Sequence, residues 1–264
     1  MCQLRHLADT YECTSFMEQD PSRVLQRYTM PQDIEVAAFI SAMLAFGRRD
    51  LFLPKIDYIL ELADAQGGPF HWLVTGHHKK VFPPAGVEAT DSFYRFYSYH
   101  DLHLLFCRLE ALLKEAGSLG EYFHHKYTES LHHQPPVHLS QLVSQSFPDC
   151  KIVPKGKNSA NKRVQMFLRW MVRQNSPVDL GLWRWYSPAD LLIPLDTHVI
   201  RQSVELGLLP AASGKGKSPS VASSAANARR LTEVLCSIWP HDPCRGDFAL
   251  FGLGIDKGSS QEQE

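Results

Sequence analysis

Residues 160–173 read Ala-Asn-Lys-Arg-Val-Gln-Met-Phe-Leu-Arg-Trp-Met-Val-Arg, and they are the clearest guide to the fold class. The apolar residues of this stretch recur three and four positions apart, at Val164, Phe167, Leu168 and Met171. That spacing places them on one face of an α-helix, where they can pack against a core. The sequence therefore predicts a helix from about residue 160 to residue 173.

The same helical spacing recurs along most of the chain. It predicts further helices around residues 36–44, 52–63, 102–113, 231–238 and 248–255. In the last of these, Gly252 and Gly254 are expected to allow close packing. No two-residue alternation of apolar and polar residues persists for more than a few positions, so we expect no β-sheet. The predicted fold class is all-α.

The helices are expected to form a single unit with two lobes and a cleft between them. The middle lobe is predicted to span residues 34–150, and the second lobe to combine residues 1–33 with residues 151–257. Proline, glycine and short polar residues interrupt the helical pattern and indicate surface segments. We predict exposed connectors at 77–93 and 132–138, a flexible loop at 210–226 and a frayed tail at 258–264.

Composition excludes several classes of protein. The chain has 264 residues, and 27 basic against 28 acidic residues give a net charge of −1, which excludes a globally basic protein that coats nucleic acid. No apolar run approaches the roughly 20 residues of a membrane span, and the first residues lack a signal-peptide core. We expect a cytoplasmic protein without membrane contact, and a monomer.

Metal ions and cofactors are not expected from the sequence. The six cysteines include no Cys-x-x-Cys pair, so no iron–sulfur cluster is predicted. Five histidines lie close together, but no His-Glu-x-x-His motif accompanies them, and a surface cluster is the preferred interpretation. These histidines are His124, His125, His132, His133 and His138.

One segment of this nearly neutral chain is strongly basic. Residues 151–173 hold no acidic residue and seven basic ones, namely Lys151, Lys155, Lys157, Lys162, Arg163, Arg169 and Arg173. Its first part is a polar loop around Gly156 that runs into the predicted helix, a junction whose backbone N–H groups suit a phosphate. On the helix, Lys162, Arg169 and Arg173 share one face that could follow a nucleic-acid backbone. An ordinary solvated helix face would give the same spacing.

A second candidate position is Asp196. It lies in the stretch Ile-Pro-Leu-Asp-Thr-His-Val-Ile-Arg, residues 193–201, where a proline and polar residues precede a helical run. An aspartate at this place is expected to cap the helix N-terminus. Capping could be its only role.

Taken together, these segments resemble the helix-hairpin-helix DNA glycosylase superfamily, through a bacterial family of uncharacterised proteins. The resemblance covers most of the chain and rests on the helix order and on five stretches. These are residues 35–47, residues 159–173, residues 178–183, residues 194–199 and residues 247–254. Endonuclease III-like and archaeal 8-oxoguanine glycosylase-like enzymes are the members it is most similar to.

The resemblance implies an activity and assigns residues to it. Lys162 matches the catalytic lysine of bifunctional members and Asp196 matches their catalytic aspartate, 34 residues later. Phe46 approximately matches the residue that enters the base stack. Lys155, Gly156, Lys157 and Arg163 are expected, with Arg169 and Arg173, to contact duplex DNA. The usual Leu-Pro-Gly-x-Gly hairpin is absent, and residues 154–159 stand in its place.

Three hypotheses of function follow. The first is a base-excision repair enzyme, in which a lysine nucleophile and an aspartate act on an extruded base and abasic-site lyase activity accompanies base release. The second is a non-catalytic nucleic-acid-binding protein with the same fold. The third is a structural helical domain in which Asp196 only caps its helix and Lys162 is only solvated.

Overall fold

The structure is a computed structural model that describes residues 2–18, 20–84, 90–132, 134–135, 137–211 and 221–261, with side chains to residue 254 in the last helix. Helices make up 61% of it, so the predicted mostly helical character is confirmed. None of the described helices combines the length and the apolarity that crossing a bilayer requires. Much of the predicted loop at 210–226, and residues 262–264 of the tail, lie outside the described residues.

Helices and one hairpin follow each other along the described chain. The α-helices are α1 (Cys2–Tyr11), α2 (Pro31–Leu44), α3 (Arg49–Asp64), α4 (Pro69–Val74), α5 (Tyr99–Ala116), α6 (Leu119–Ser130), α7 (Leu139–Gln145), α8 (Lys162–Val172), α9 (Thr197–Glu205), α10 (Ala225–Cys236) and α11 (Gly246–Gln261). Short 3-10 helices lie at Thr14–Met17, Pro21–Gln26, His77–Lys80, Pro188–Asp190 and Pro243–Arg245. The two strands are β1 (Ser92–Tyr94) and β2 (Tyr97–Ser98).

The prediction that the chain has no sheet is wrong at this hairpin. β1 and β2 pair antiparallel, with Ser92 opposite Ser98 and Tyr94 opposite Tyr97. Arg95 adopts a positive φ of 54° in the turn between them. Strands of three and two residues are too short to show alternation in the sequence, which explains why the pattern did not reveal them.

The chain divides into two compact units. Met1–Glu18 and Gly156–Glu264 form one of them, which we call the terminal unit. Gln19–Lys155 form the other, which we call the central unit. The terminal unit contains α1 and α8–α11, and the central unit contains α2–α7 and the hairpin.

Helix α2 is the core of the central unit. All eleven residues from 34 to 44 are buried, as expected for a helix that is apolar on every side. Glu35 is the charged residue among them, and its carboxylate accepts the backbone N–H groups of Leu119 at 2.9 Å and Gly120 at 3.2 Å. These N–H groups begin α6 and lack partners within that helix, so Glu35 fixes α6 against α2.

Residues 77–84 do not form the exposed connector that the sequence predicts. His78 and Phe82 are fully buried. The His78 ring lies edge-on to the rings of Trp72 and Phe106, with centroid distances of 5.9 and 6.0 Å. Aromatic packing therefore brings this segment into the core, which its polar histidine and lysine composition does not indicate. Residues 85–89 of the predicted connector lie outside the described residues.

The core of the terminal unit is built mainly where α1 and α9 pack on α11. Its buried residues include Leu4, Ala8, Ile193, Leu195, Val199, Leu231, Leu235, Ala249 and Leu250. A Cβ atom built on Gly252 of α11 would lie 2.2 Å from Cγ of Tyr11 in α1, so this crossing depends on a glycine. At Gly254 the nearest heavy atoms would be 3.7 Å away, an ordinary contact.

We expect Gly252→Ala to lower the free energy of unfolding by about 1–3 kcal/mol, because the added methyl group must displace Tyr11. Gly254→Ala, two residues later on the same helix, is the matched control. It should be neutral or stabilising by up to about 1 kcal/mol, since alanine favours helix over glycine. Urea unfolding of both variants checks the pair, and equal effects would contradict the crossing described here.

Candidate functional site

Lys162 and Asp196 lie side by side in the terminal unit. Nζ of Lys162 is 2.7 Å from Oδ2 of Asp196. Lys162 is the first residue of α8, and Asp196 immediately precedes α9. The two side chains retain 38% and 15% of their exposure, so solvent reaches the amine. The structure thus brings together the two residues to which the resemblance gives catalytic roles.

Asp196 caps α9, as the sequence predicts. Its second carboxylate oxygen, Oδ1, accepts the backbone N–H of Val199 at 2.9 Å. Burial acts to raise the pKa of Asp196, but the charge and hydrogen bond of Lys162, together with the Val199 N–H, lower that pKa below its ordinary value. Asp196 is therefore a carboxylate at neutral pH, and capping is not its only contact.

Backbone hydrogen bonds explain why two residues so far apart in sequence meet. The N–H of Ala160 donates to the carbonyl of Ser223 at 3.1 Å, and the N–H of Ala225 donates to the carbonyl of Asn158 at 2.9 Å. The hydroxyl of Ser223 donates to the carbonyl of Leu195 at 2.9 Å. The segment around Ser223 thus connects the approach to α8 with the approach to α9.

The loop before α8 has a constrained backbone. Gly156 has a positive φ of 71°, and a Cβ atom there would lie 2.6 Å from Nδ2 of Asn161. Asn161 is buried and left-handed, with φ of 53°, where α8 begins. Any side chain at Gly156 would therefore strain the turn and collide with Asn161.

The basic residues predicted around this loop differ in their surroundings. Lys157 is exposed, and Arg163 is partly buried. Lys155 is also exposed, but its ammonium group donates to two backbone carbonyls of the preceding turn at 2.6 and 2.7 Å. Lys157 is thus the loop cation best placed to meet an anionic ligand, while part of the Lys155 charge is used within the protein.

Arg169 and Arg173 do not form the solvent-facing basic stripe that was predicted. Their side chains are only 9% and 1% exposed. Arg169 pairs with Asp247 and Asp179, and Arg173 pairs with Asp179. A buried guanidinium group that is already paired cannot follow a phosphate backbone, so the structure does not support the nucleic-acid role predicted for these two residues.

Further carboxylates complete the surroundings of Arg173. Its Nε and Nη2 donate to the two carboxylate oxygens of Asp242, both at 2.7 Å. Nη2 also lies 2.8 Å from Oε1 of Glu12, and Arg245 contacts the other oxygen of Glu12 at 2.9 Å. We call this set the buried ion-pair network, comprising Glu12, Arg169, Arg173, Asp179, Asp242, Arg245 and Asp247. The acidic members of this network are scattered along the chain and carry no motif, so the sequence pattern does not indicate them.

The buried ion-pair network shifts the pKa values of its members. It holds four carboxylates and three guanidinium groups, and Arg245 also contacts Asp9 at 2.6 Å. Burial raises the pKa of Asp247 to about 6 although Arg169 acts to lower it. Asp196 and Lys162 also influence the pKa of Asp247, so the network is coupled electrostatically to the Lys162–Asp196 pair.

A cleft of about 550 Å³ lies beside the part of the buried ion-pair network that surrounds Arg173. Glu12, Arg173 and Asp242 line it, together with Trp239 and His241. Lys162 and Asp196 do not line this cleft, so it is separate from the candidate catalytic pair.

Phe46 belongs to an exposed aromatic patch of the central unit. Phe46 and Phe96 are 39% and 55% exposed, and their ring centroids are 5.5 Å apart. The guanidinium carbon of Arg95 lies 5.0 Å from the centroid of Phe46. Tyr94 donates its hydroxyl to the carbonyl of Phe46, which ties the hairpin to the turn after α2. We call Phe46, Phe96 and Arg95 the aromatic patch.

Removing Arg173 should be strongly destabilising. Arg173→Ala leaves buried carboxylates without their partner, and we expect it to lower the free energy of unfolding by about 3–5 kcal/mol. Arg184, which is exposed in the same unit, provides the control, since Arg184→Ala should change stability little. Urea unfolding followed by circular dichroism makes the comparison, and a small loss for Arg173→Ala would contradict the network.

Comparison with known proteins gives a family but no activity. No curated protein and no solved structure matches the chain. One family model matches residues 20–256, which is most of the chain. The description of that family states no function, so the relation to DNA glycosylases stays a prediction. The chain belongs to the family described as "Protein of unknown function (DUF2400)".

Proposed function

We propose that this chain is a DNA glycosylase-like protein of base-excision repair, in which Lys162 is the nucleophile and Asp196 its carboxylate partner. The observation that carries the proposal is the 2.7 Å contact between Nζ of Lys162 and Oδ2 of Asp196, at the starts of two helices. An amine beside a carboxylate, both reachable from solvent, is the pairing that nucleophilic base release requires.

The proposed reaction begins when Asp196 accepts a proton from the Lys162 ammonium group. The neutral amine then attacks C1′ of the nucleotide, and the bond from C1′ to the base breaks, with its electron pair leaving on the base. The base takes up the proton that Asp196 received, so Asp196 is again a carboxylate that can stabilise positive charge on the sugar. A further proton passes from the nitrogen to the ring oxygen O4′ as the sugar ring opens, which gives a protonated Schiff base between Lys162 and C1′.

Asp247 supports this proposal as a proton-holding neighbour. Its pKa of about 6 allows it to exchange a proton near neutral pH, unlike a carboxyl group of ordinary pKa. It is coupled electrostatically to both Asp196 and Lys162. The buried ion-pair network would in this way adjust the charge of the catalytic pair.

Nucleic acid would contact the chain through two separate features. Lys157, with Gly156, Lys155 and Arg163, provides positive charge along the segment that leads into α8, and phosphate contacts of this kind make binding salt-dependent. The aromatic patch offers exposed rings, which can stack on bases or enter the base stack. Duplex DNA with a damaged or missing base is the expected partner.

Borohydride trapping tests the catalytic pair. Reduction of a Schiff base yields a stable covalent adduct, and we expect one with a duplex from a panel that carries an abasic site, 8-oxoguanine, uracil or oxidised pyrimidines. Lys162→Arg keeps a cation beside Asp196 but should abolish the adduct. Asp196→Asn retains a good helix cap and should slow trapping about 100-fold or more, because only the charge is lost.

Lys157→Ala is the matched control for trapping, since it removes an exposed lysine five positions before Lys162. It should weaken DNA binding while leaving the adduct obtainable at saturating protein. Trapping that persists in Lys162→Arg would contradict the assignment of the nucleophile. If no adduct forms but DNA binding is salt-dependent, the result would favour the second hypothesis, a non-catalytic nucleic-acid-binding protein. The ion pair between Lys162 and Asp196 is also compatible with that hypothesis.

The aromatic patch should contribute to affinity for a duplex with an abasic site. Each stacked base is worth about 1–3 kcal/mol, so Phe46→Ala and Phe96→Ala should each raise the Kd by about 5- to 150-fold. Leu131 is 49% exposed in the same unit, and Leu131→Ala serves as the control. Fluorescence anisotropy measures the Kd of each variant for this duplex. If the two phenylalanine variants have the same Kd as Leu131→Ala, the aromatic patch does not contact the DNA.

A further inference from the structure

The central unit contains a compact cluster of metal-ligand side chains that the proposed function does not use. His78, Cys107 and Glu110 each place one ligand atom within 4.8 Å of the other two. The His78 side chain is fully buried, the Glu110 side chain is 10% exposed, and Cys107 is partly buried. We call these three residues the His–Cys–Glu cluster.

Two independent segments build the cluster. His78 comes from the 3-10 helix His77–Lys80, while Cys107 and Glu110 lie three residues apart on α5. His103 lies four residues before Cys107 on the same helix. Positions three and four apart share one face of a helix, so α5 directs His103, Cys107 and Glu110 toward the same side.

The two distances from Nε2 of His78 match those between neighbouring ligands of a tetrahedral metal ion. Nε2 of His78 lies 3.7 Å from Sγ of Cys107 and 3.5 Å from Oε2 of Glu110. Nε2 of His103 lies 3.4 Å from the same sulfur. The nitrogen–oxygen separation is too long for a strong hydrogen bond. Bonds of about 2.0–2.3 Å to zinc place neighbouring tetrahedral ligands about 3.3–3.7 Å apart.

A hydrogen bond orients a further imidazole toward the cluster. Nδ1 of His103 lies 2.7 Å from the carbonyl oxygen of Phe82, which can only accept, so Nδ1 carries a proton and Nε2 is directed toward the sulfur of Cys107. Histidines that bind metal ions commonly use their other ring nitrogen to donate to a carbonyl oxygen in this way.

We propose that His78, Cys107 and Glu110 bind a divalent transition-metal ion of the zinc type, with water, or His103 after a shift of its side chain, as the fourth ligand. Mixed nitrogen, sulfur and oxygen donors suit zinc better than magnesium or calcium. The Cys107 thiol loses its proton to solvent when the metal–sulfur bond forms, without any change of oxidation state. The ion ties the segment His77–Lys80 to α5.

Two lysines pair with the carboxylate of Glu110 and would compete with a metal ion for it, which provides a specific test. Lys79 lies 2.7 Å from Oε2 of Glu110, and Lys114 lies 2.6 Å from Oε1. A metal ion that binds Oε2 must displace Lys79, whose side chain is 47% exposed. Lys79→Gln should consequently tighten metal binding several-fold, which a purely structural ion-pair cluster would not do.

Titration of chelator-treated full-length protein with cobalt(II) tests the site. We expect one bound ion with the intense near-ultraviolet band of a cobalt–thiolate bond and the visible bands of tetrahedral cobalt. Cys107→Ser should abolish the thiolate band, and Glu110→Gln should weaken the affinity at least about tenfold. Cys236→Ser, which removes a partly buried thiol from α10, should keep both the band and the affinity.

Thermal unfolding distinguishes a variant that has lost metal binding from one that has failed to fold. Excess zinc should raise the Tm of the natural chain and of Cys236→Ser, because binding to the folded state alone stabilises it, and should not raise the Tm of Cys107→Ser. Without metal, Cys107→Ser should unfold cooperatively, which shows that it is folded. A natural chain without a thiolate band, or a band that survives in Cys107→Ser, would overturn the proposal.

Discussion

Arg173 imposes the constraint on which the terminal unit depends, because a buried guanidinium group is tolerable only when carboxylates surround it. Its partners come from three places in the chain, the end of α1, the segment after α8 and the segment before α11. Satisfying this one charge thus fixes α8 against elements that are remote in sequence. Arg169 repeats the arrangement one helical turn earlier through Asp247. The orientation of α8 then places Lys162 at its exposed end.

The candidate catalytic pair sits at the boundary between this buried charge and solvent. Two carboxylates close to Lys162 respond to their surroundings in opposite directions, since the pKa of Asp196 is lowered by Lys162 and the pKa of Asp247 is raised by burial. Neighbouring carboxyl groups whose pKa values are pushed apart are typical of sites that move protons. In the proposed reaction, Asp196 accepts the proton of Lys162, and Asp247 can exchange a proton near neutral pH.

Local sequence signals predicted local structure well. The helical character and the cap at Asp196 both follow from spacing and capping rules, and the structure has them. The signals failed where long-range pairing decides. Arg169 and Arg173 were predicted to face solvent, because three of the carboxylates that pair with them, Glu12, Asp242 and Asp247, lie far away in the sequence. The sequence pattern also did not predict that His78 is buried, because aromatic packing from other segments buries it. The spacing of Cys107 and Glu110 on one helix, however, could have indicated the His–Cys–Glu cluster.

In the proposed mechanism, the buried ion-pair network sets the charge state beside Lys162. Carbon-13 NMR titration of the aspartate carboxyl groups, in the intact protein and in Lys162→Gln, measures this charge state. We expect Asp247 to titrate near pH 6, Asp196 to titrate below the ordinary aspartate value, and Lys162→Gln to raise the pKa of Asp196. Ordinary pKa values for both groups, unchanged by the substitution, would contradict it.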